Sequence, residues 1–471
     1  MSKIKYINRR DFLKFLGAGA TAVATSCITT PQKNNPNAVS NREITGEMTY
    51  RTNPSTGDKV SLLGYGCMRL PTVSTDSVRE GADEIDQEAV NRLVDYAIEH
   101  GVNLFDTSPA YCKGLSERAM GIALSRHPRE SYFLSTKLSN FSKITWSREN
   151  SLQMYYNSFK ELQTDYIDYM LLHGIGIYDA DDSDGLDAMA TYRARYVDNG
   201  VLDFLLEERK AGRIRNLGFS YHGDVKVFDY LLSLHDEIKW NFALIQLNYV
   251  DWKHAKEVNE KNTNAEYLYG ELRKRGIPAM VMEPLLGGRL AALNDGLVTK
   301  MKQRRPEDSV ASWAFRFAGT HEEILTVLSG MTYMEHLHDN LVTYSPLQPL
   351  SDDEFAFLED MAQLILKFPT VPCTNCKYCM PCPYGIDIPS IFTHYNKCVN
   401  EGNVVNGKDD SEYALARRAF LIGYDRTVPK LRQADHCICC GACISHCPQQ
   451  IDIPTELRKI NDYAESLKRN P

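Results

Sequence analysis

Thirteen cysteines are spread so unevenly along the 471-residue chain that they divide its chemistry into two regions. Ten fall between Cys373 and Cys447, while the first 372 residues hold Cys27, Cys67 and Cys112. An odd total crowded into one end is not a set of disulfides; it points to thiolate ligation of a metal or an inorganic cluster. Two runs carry ligand spacing: Cys373-x2-Cys376-x2-Cys379-x2-Cys382-Pro383 and Cys437-x2-Cys440-x2-Cys443-x3-Cys447-Pro448. Paired Cys-x2-Cys elements can hold zinc tetrahedrally. Evenly spaced runs closed by Cys-Pro suit iron-sulfur cubanes better. Upstream, polar residues recur immediately after short β-rich runs: Asp106 and Tyr111, Lys137, His173, Ser220, Gln246, Glu283 and Gly330. A phenol ordinarily titrates near ~10, so Tyr111 needs a neighbouring ammonium to release its proton near neutrality. Lys137 can supply that charge, Asp106 can hold Lys137 in place, and His173 can hydrogen-bond a substrate oxygen or share in the transfer.

The elements that must bring these residues together are eight. Strand candidates are Leu62 to Tyr65, Val102 to Phe105, Tyr132 to Leu134, Ile167 to Leu172, Arg215 to Phe219, Leu244 to Leu247, Ala279 to Met282 and Ile324 to Leu328. They alternate with helical stretches such as Gln87 to His100, whose stripe of Ala89, Val90, Leu93, Val94, Ala97 and Ile98 suits packing against a barrel. Eight such units in ~300 residues predict an α/β fold, a (β/α)8 TIM barrel over 48–345, with chemistry at the C-terminal strand ends. No strand runs into a Gly-x-Gly-x-x-Gly turn, which counts against a Rossmann domain. Residues 346–471 are expected to form a smaller, mainly α-helical iron-sulfur domain, with helical pattern near Ser411 to Ile422.

On Asp106, Tyr111, Lys137 and His173 in that order, with Ser116-Glu117 and Gly121, the barrel region resembles the aldo-keto reductases. The resemblance implies carbonyl/alcohol redox chemistry with Tyr111 as general acid/base. It also implies an NAD(P)(H) cofactor whose carboxamide meets Ser220 and Gln246, with Glu283 and Gly330 as further contacts. Basic residues for a 2′-phosphate are not evident around the last strand, where Gly330-Met331-Thr332-Tyr333 and His336 stand, so NAD and NADP stay undecided. The cysteine runs resemble bacterial ferredoxins, in which the fourth cysteine ligates the other cluster. That implies two [4Fe-4S] clusters, one on Cys373, Cys376, Cys379 and Cys447, the other on Cys437, Cys440, Cys443 and Cys382. Each run continues alike, into Ile386-Asp387-Ile388-Pro389 and Ile451-Asp452-Ile453-Pro454, an internal duplication. Cys398 and Cys439 fall outside the ligand pattern, as do Cys67 and Cys112.

At the N-terminus, Asn8-Arg9-Arg10-Asp11-Phe12-Leu13-Lys14 and the short apolar run after it resemble a twin-arginine export signal over 1–27. Ala24-Thr25-Ser26-Cys27 loosely resembles a lipobox, making Cys27 a lipidation candidate; 28–47 read as a flexible linker. These features imply the twin-arginine translocation machinery as a partner and a periplasmic location. With 43% hydrophobic residues, 24% charged and a net charge of -8, the chain is neither disordered nor electrostatically suited to nucleic acid. The expectation is therefore an exported oxidoreductase acting on a small carbonyl or alcohol, a sugar included, with a redox partner protein. The alternative is a non-catalytic electron carrier with a barrel scaffold, against which a complete tetrad argues.

Overall fold

The computed structural model describes residues 42–73, 84–177, 187–405 and 407–470. The expected export signal, Cys27 and most of the expected linker lie outside the described residues. No helix among those described is long and apolar enough to cross a membrane.

Two short strands, β1 (Tyr50–Thr52) and β2 (Lys59–Ser61), pair antiparallel ahead of the sheet. Eight strands then close a parallel barrel in chain order: β3 (Leu63–Gly66), β4 (Leu104–Asp106), β5 (Phe133–Leu138), β6 (Ile167–Ile175), β7 (Ile214–Tyr221), β8 (Phe242–Gln246), β9 (Ala279–Met282) and β10 (Ile324–Ser329), with β10 pairing back onto β3. Every expected strand is present. Parallel strands buried on both faces read as continuous apolar runs, and all nine residues of β6 are buried. The expected helices follow the same lines: Gln87–Glu99 buries Val90, Leu93, Val94 and Ala97 against the sheet, and Asp86 caps it by accepting from Ala89 N.

At the end of the barrel remote from the candidate residues, the turn after β1 delivers Asp58 to a buried polar floor. Its carboxylate accepts from Tyr169 (3.1 Å), Asn216 (3.2 Å) and Arg215 (2.8 Å), and Asp168 accepts from Arg215 (2.8 Å) and Arg129 (2.6 Å). The buried carboxylates are thus paired and hydrogen-bonded, the condition under which burial is tolerated.

The chain divides into two compact units, one of Asn41–Leu286 with Ser312–Phe355, the other joining Gly287–Ala311 to the chain from Ala356 onward. The expected boundary at 345/346 did not foresee this division, because part of the β9 to β10 connection belongs to the second unit. Gly287 explains why locally: it is left-handed at φ 67°, and a Cβ there would fall 2.3 Å from the Thr374 carbonyl oxygen. Asn294 donates to Asn400 O (2.6 Å), Asn400 donates to Ala292 O (2.8 Å), and Arg289 donates to Thr370 (2.8 Å).

The second unit packs helices Ile388–Asn400, Tyr413–Thr427 and Ile453–Arg469 around Ile391, Phe392, Phe420, Tyr424, Ile460 and Leu467. The duplicated segments do the same job twice. Asp387 and Asp452 cap helices that begin with Pro389 and Pro454, accepting from Ser390 N and Thr455 N at 3.3 Å each.

Helix Ser116–Leu124 approaches helix Arg148–Leu162 so closely that a Cβ on Gly121 would lie 2.1 Å from Glu161 O, a backbone atom that cannot swing aside. Gly121→Ala is expected to destabilise the barrel by about 1–3 kcal/mol. Gly270→Ala, in a helix where nothing lies within 4 Å, is expected to be neutral or to add up to ~1 kcal/mol. Denaturant unfolding of both variants checks the contrast.

Candidate functional site

The alternation of β5 sorts its side chains. Ser135 and Lys137 face Asp106 across from β4, while Thr136, between them, faces the covering helix. Ser135 donates to Asp106 Oδ1 (2.7 Å), and Lys137 Nζ donates to Asp106 Oδ2 (2.5 Å) and to Thr107 O (2.8 Å). Both members of the ion pair are buried. Burial lowers the Lys137 ammonium's pKa from its ordinary value, and Asp106 works against that shift.

Tyr111 follows β4 on a tight turn and stands over this pair. Lys137 Nζ lies 4.7 Å from the centre of the Tyr111 ring. The turn continues through Cys112 and Lys113, both left-handed at φ 50° and 55°, a strained pair of non-glycine residues at the mouth. His173, on β6, meets Tyr111 edge-on with ring centres 6.0 Å apart. Its Nδ1 lies 2.5 Å from Ser139 Oγ, leaving Nε2 as the other ring nitrogen. Burial, reinforced by the charges of Lys137, Arg195 and His222, holds His173 well below the usual imidazole range, so the ring is neutral. A neutral imidazole suits the hydrogen-bonding role better than a proton reservoir. The structure therefore gathers Asp106, Tyr111, Lys137 and His173 at one end of the barrel.

Two supporting residues escaped the sequence. Ser139 sits two residues beyond Lys137 on the same face, a signal that strand alternation could have supplied. Arg195 comes from a π-helical turn far along the chain; it is buried and spends its donors on His173 O (2.6 Å), Gly174 O (3.1 Å), Asn140 and Tyr196. No sequence pattern announces such a clamp.

The four expected cofactor contacts stand at the ends of β7 to β10. Ser220 accepts from Gly174 N (2.8 Å). Gln246 Nε2 donates to Asp251 (2.6 Å), which Asn248 also contacts at 2.7 Å. The Glu283 carbonyl, on a residue with φ 55°, accepts from Asn248. At Gly330 a Cβ would lie 3.3 Å from the Arg69 side chain. A basic residue is therefore beside the last strand after all, contributed by the segment following β3, and a search local to β10 could not find it. A hydroxyl and a carboxamide set at fixed positions, next to a side-chain-free backbone, fit an amide-bearing planar cofactor.

In the second unit, Cys373, Cys376 and Cys379 wall one cavity with Cys447 from the other run, closed by Ile388 and Phe392. Cys443 feels the charges of Cys382, Cys437 and Cys440, and Cys437 feels Cys382. Cys447 thus stands with the thiols of the first run, the placement that the crossed arrangement expects of it. Cys379 also feels Cys443, so the two sets are neighbours. Among the described residues, no group of His, Cys, Asp or Glu is placed to hold a single metal ion. Cys398 lies buried in its helix beside His394 (3.5 Å), Cys112 donates to Met68 O (3.5 Å), buried Cys67 donates to Tyr65 O (3.5 Å), and exposed Cys439 accepts from Arg458 (2.9 Å).

The family model "Aldo/keto reductase family" matches residues 62–363, and "4Fe-4S dicluster domain" matches residues 372–451. The chain is similar to L-galactose dehydrogenase of Arabidopsis thaliana, 24% identical over 318 residues that cover 64% of this chain and 89% of that protein. It is similar to D-arabinose 1-dehydrogenase of Saccharomyces cerevisiae, 34% identical over 99 residues, 20% of this chain and 29% of that protein. Among solved structures it is similar to aldo-keto reductase AKR11C1 from Bacillus halodurans (holo form), with 22% identity, TM-score 0.49, and coverage of 67% of this chain and 96% of that one.

Behind β5, Thr136 donates to Glu117 Oε1 (2.6 Å). Burial raises the Glu117 carboxyl to about 7. Its folded pKa exceeds the unfolded one, so its contribution is fully present below ~4.5 and is lost as pH rises through 7. Glu117→Gln, neutral throughout, is therefore expected to gain on the native protein between pH 4.5 and 7, by about 3 kcal/mol at most, and to level off above. Unfolding free energies of both proteins across pH 4 to 8 check the sign.

Proposed function

The chain belongs to the aldo/keto reductase family and is an oxidoreductase, and from that premise we propose that it interconverts a carbonyl and an alcohol on a small molecule and exchanges electrons through two [4Fe-4S] clusters. The observation that carries the catalytic half is the buried Lys137–Asp106 pair beneath Tyr111, with neutral His173 alongside. Tyr111 gives its hydroxyl proton to the carbonyl oxygen in reduction and takes it back in oxidation. Lys137 favours the phenolate by placing a positive charge against the ring, and Asp106 keeps that charge in position. His173 orients the substrate oxygen by hydrogen bonding. The names of two relatives, both sugar dehydrogenases, support an aldose or the corresponding alcohol as substrate.

Ser220 and Gln246 would hold the carboxamide of a nicotinamide cofactor, with Gly330 admitting it and Arg69 nearby. When bound, that cofactor supplies or accepts the hydride. Cys373, Cys376, Cys379 and Cys447 would hold one cluster, and Cys437, Cys440, Cys443 and Cys382 the other. The clusters supply one-electron steps, which a nicotinamide does not. The Asn8-Arg9-Arg10 sequence supports export by the twin-arginine route, which suits a protein that must fold around its clusters before it crosses a membrane, and Cys27 supports a lipid anchor.

Tyr111→Phe should cut turnover of an aldose panel by at least ~10²-fold with cluster content unchanged; unimpaired turnover sinks the assignment. Anaerobically purified protein should carry about eight irons, and its cluster absorbance should bleach on adding NADH or NADPH with a reduced or oxidised sugar present. Failure of both nucleotides to bind, read by fluorescence, removes the nicotinamide half. Cys437→Ser should erase one of two reduced-cluster EPR signals.

A further inference from the structure

Exchange of electrons through the clusters, the reading on which this inference rests, needs an entry from solvent, and the two thiol sets differ in access. Cys447 of the first set is buried, whereas Cys440 of the second is exposed. Around the second set large apolar side chains stand in solvent: Leu431 is 81% exposed and Ile438 60%, with Tyr384 and Ile444 also exposed. Hydrogen bonds tie together the segments that carry Leu431, Tyr384 and Ile438, which we take as one face. Asp387 N donates to Arg432 O (3.0 Å) and Arg432 Nε to Gly385 O (3.2 Å), joining the turn that carries Leu431 to the segment that carries Tyr384. His436 Nε2 lies 3.2 Å from Lys430 O, and Arg458 reaches Cys439 beside Ile438.

The rim of this face is basic in a chain whose net charge is -8. Lys430, Arg432 and Arg458 form no salt bridge to a carboxylate among the described residues. Acids stand near them too: Asp387, whose backbone N meets Arg432 O, Asp435, 3.8 Å from His436, and Asp462, whose charge Arg458 feels. Clustered exposed apolar residues mark an interaction site, and cations at the rim that are in no salt bridge steer the encounter and select the partner's sign.

We propose that this face docks a small one-electron carrier protein, apolar at its centre and acidic at its rim, and that the cluster of Cys437, Cys440, Cys443 and Cys382 is the port through which electrons pass. In each encounter the reduced cluster loses one electron and returns to its oxidised state, the carrier's oxidised centre gains that electron, and no bond or proton changes hands.

The full-length, cluster-loaded protein, reduced with dithionite without oxygen, is mixed in a stopped-flow instrument with an oxidised acidic ferredoxin or with a basic cytochrome c. The rate constant with ferredoxin should fall about tenfold or more in Leu431→Glu. It should fall as salt rises, and the cytochrome should show the opposite salt dependence. Leu415→Glu, exposed on another helix of the same unit, should leave the rate unchanged. Iron content and EPR of every variant show whether the clusters are intact; a wild-type protein without reducible clusters fails the underlying reading instead. With clusters intact, an undiminished rate in Leu431→Glu, an equal loss in Leu415→Glu, indifference to salt, or a dimer of this chain that Leu431→Glu dissociates overturns the proposal.

Discussion

A lysine and an aspartate shut inside the barrel wall set the terms for the rest of the first unit. Lys137 and Asp106 are both shut away from water, Lys137 Nζ donates to Asp106 Oδ2 at 2.5 Å, and Thr107 O and Ser135 complete their hydrogen bonds, so neither is buried without a partner. That geometry fixes the register of β4 against β5, where Asp106 pairs with Ser135. It also fixes which side of β5 faces inward. A one-residue slip would exchange Lys137 for Thr136 and bury an unpaired carboxylate. The strained turn that carries Tyr111 and the clamp of Arg195 on the His173 backbone are then refinements of a frame that the ion pair has already imposed.

The second unit obeys a different constraint. Its helical core is small, and its two cysteine runs lie in segments with little regular structure, so the thiols rather than the backbone define what the runs can hold. Cys447 closes the cavity of the first run, and Cys382 sits among the thiols of the second. The duplicated aspartate caps and the prolines in the first turn of helices Ile388–Asn400 and Ile453–Arg469 set the chain that leaves each run on the same course.

Most of the barrel was legible in the sequence because a strand buried on both faces must be apolar throughout, and eight such runs at regular spacing leave few alternatives. The tetrad was legible because chemistry in this architecture gathers at one end of the strands. The β1–β2 hairpin was not, since strands of three residues carry too little alternation to register. Arg69 and Arg195 were hidden for a different reason: each serves a site that its own neighbours in sequence do not form. The meeting of Cys447 with the first cysteine run was expected from the resemblance to bacterial ferredoxins. The departure of Gly287–Ala311 to the other unit could not be read from the sequence, because buried Leu297, Val298 and Met301 give helix Asp295–Arg304 the same apolar stripe that a barrel helix shows.

That departure makes the two halves inseparable as pieces of a gene. A domain added to the end of an existing enzyme can be lost again by an early stop codon, leaving the enzyme whole. Here the same event would leave Asn294 and Arg289 without Asn400 and Thr370, and Gly287 without the Thr374 backbone it was shaped to admit. The barrel's own connection between β9 and β10 would have to be rebuilt at the same moment. Descendants of this chain are therefore held to keep both chemistries or to abandon them together.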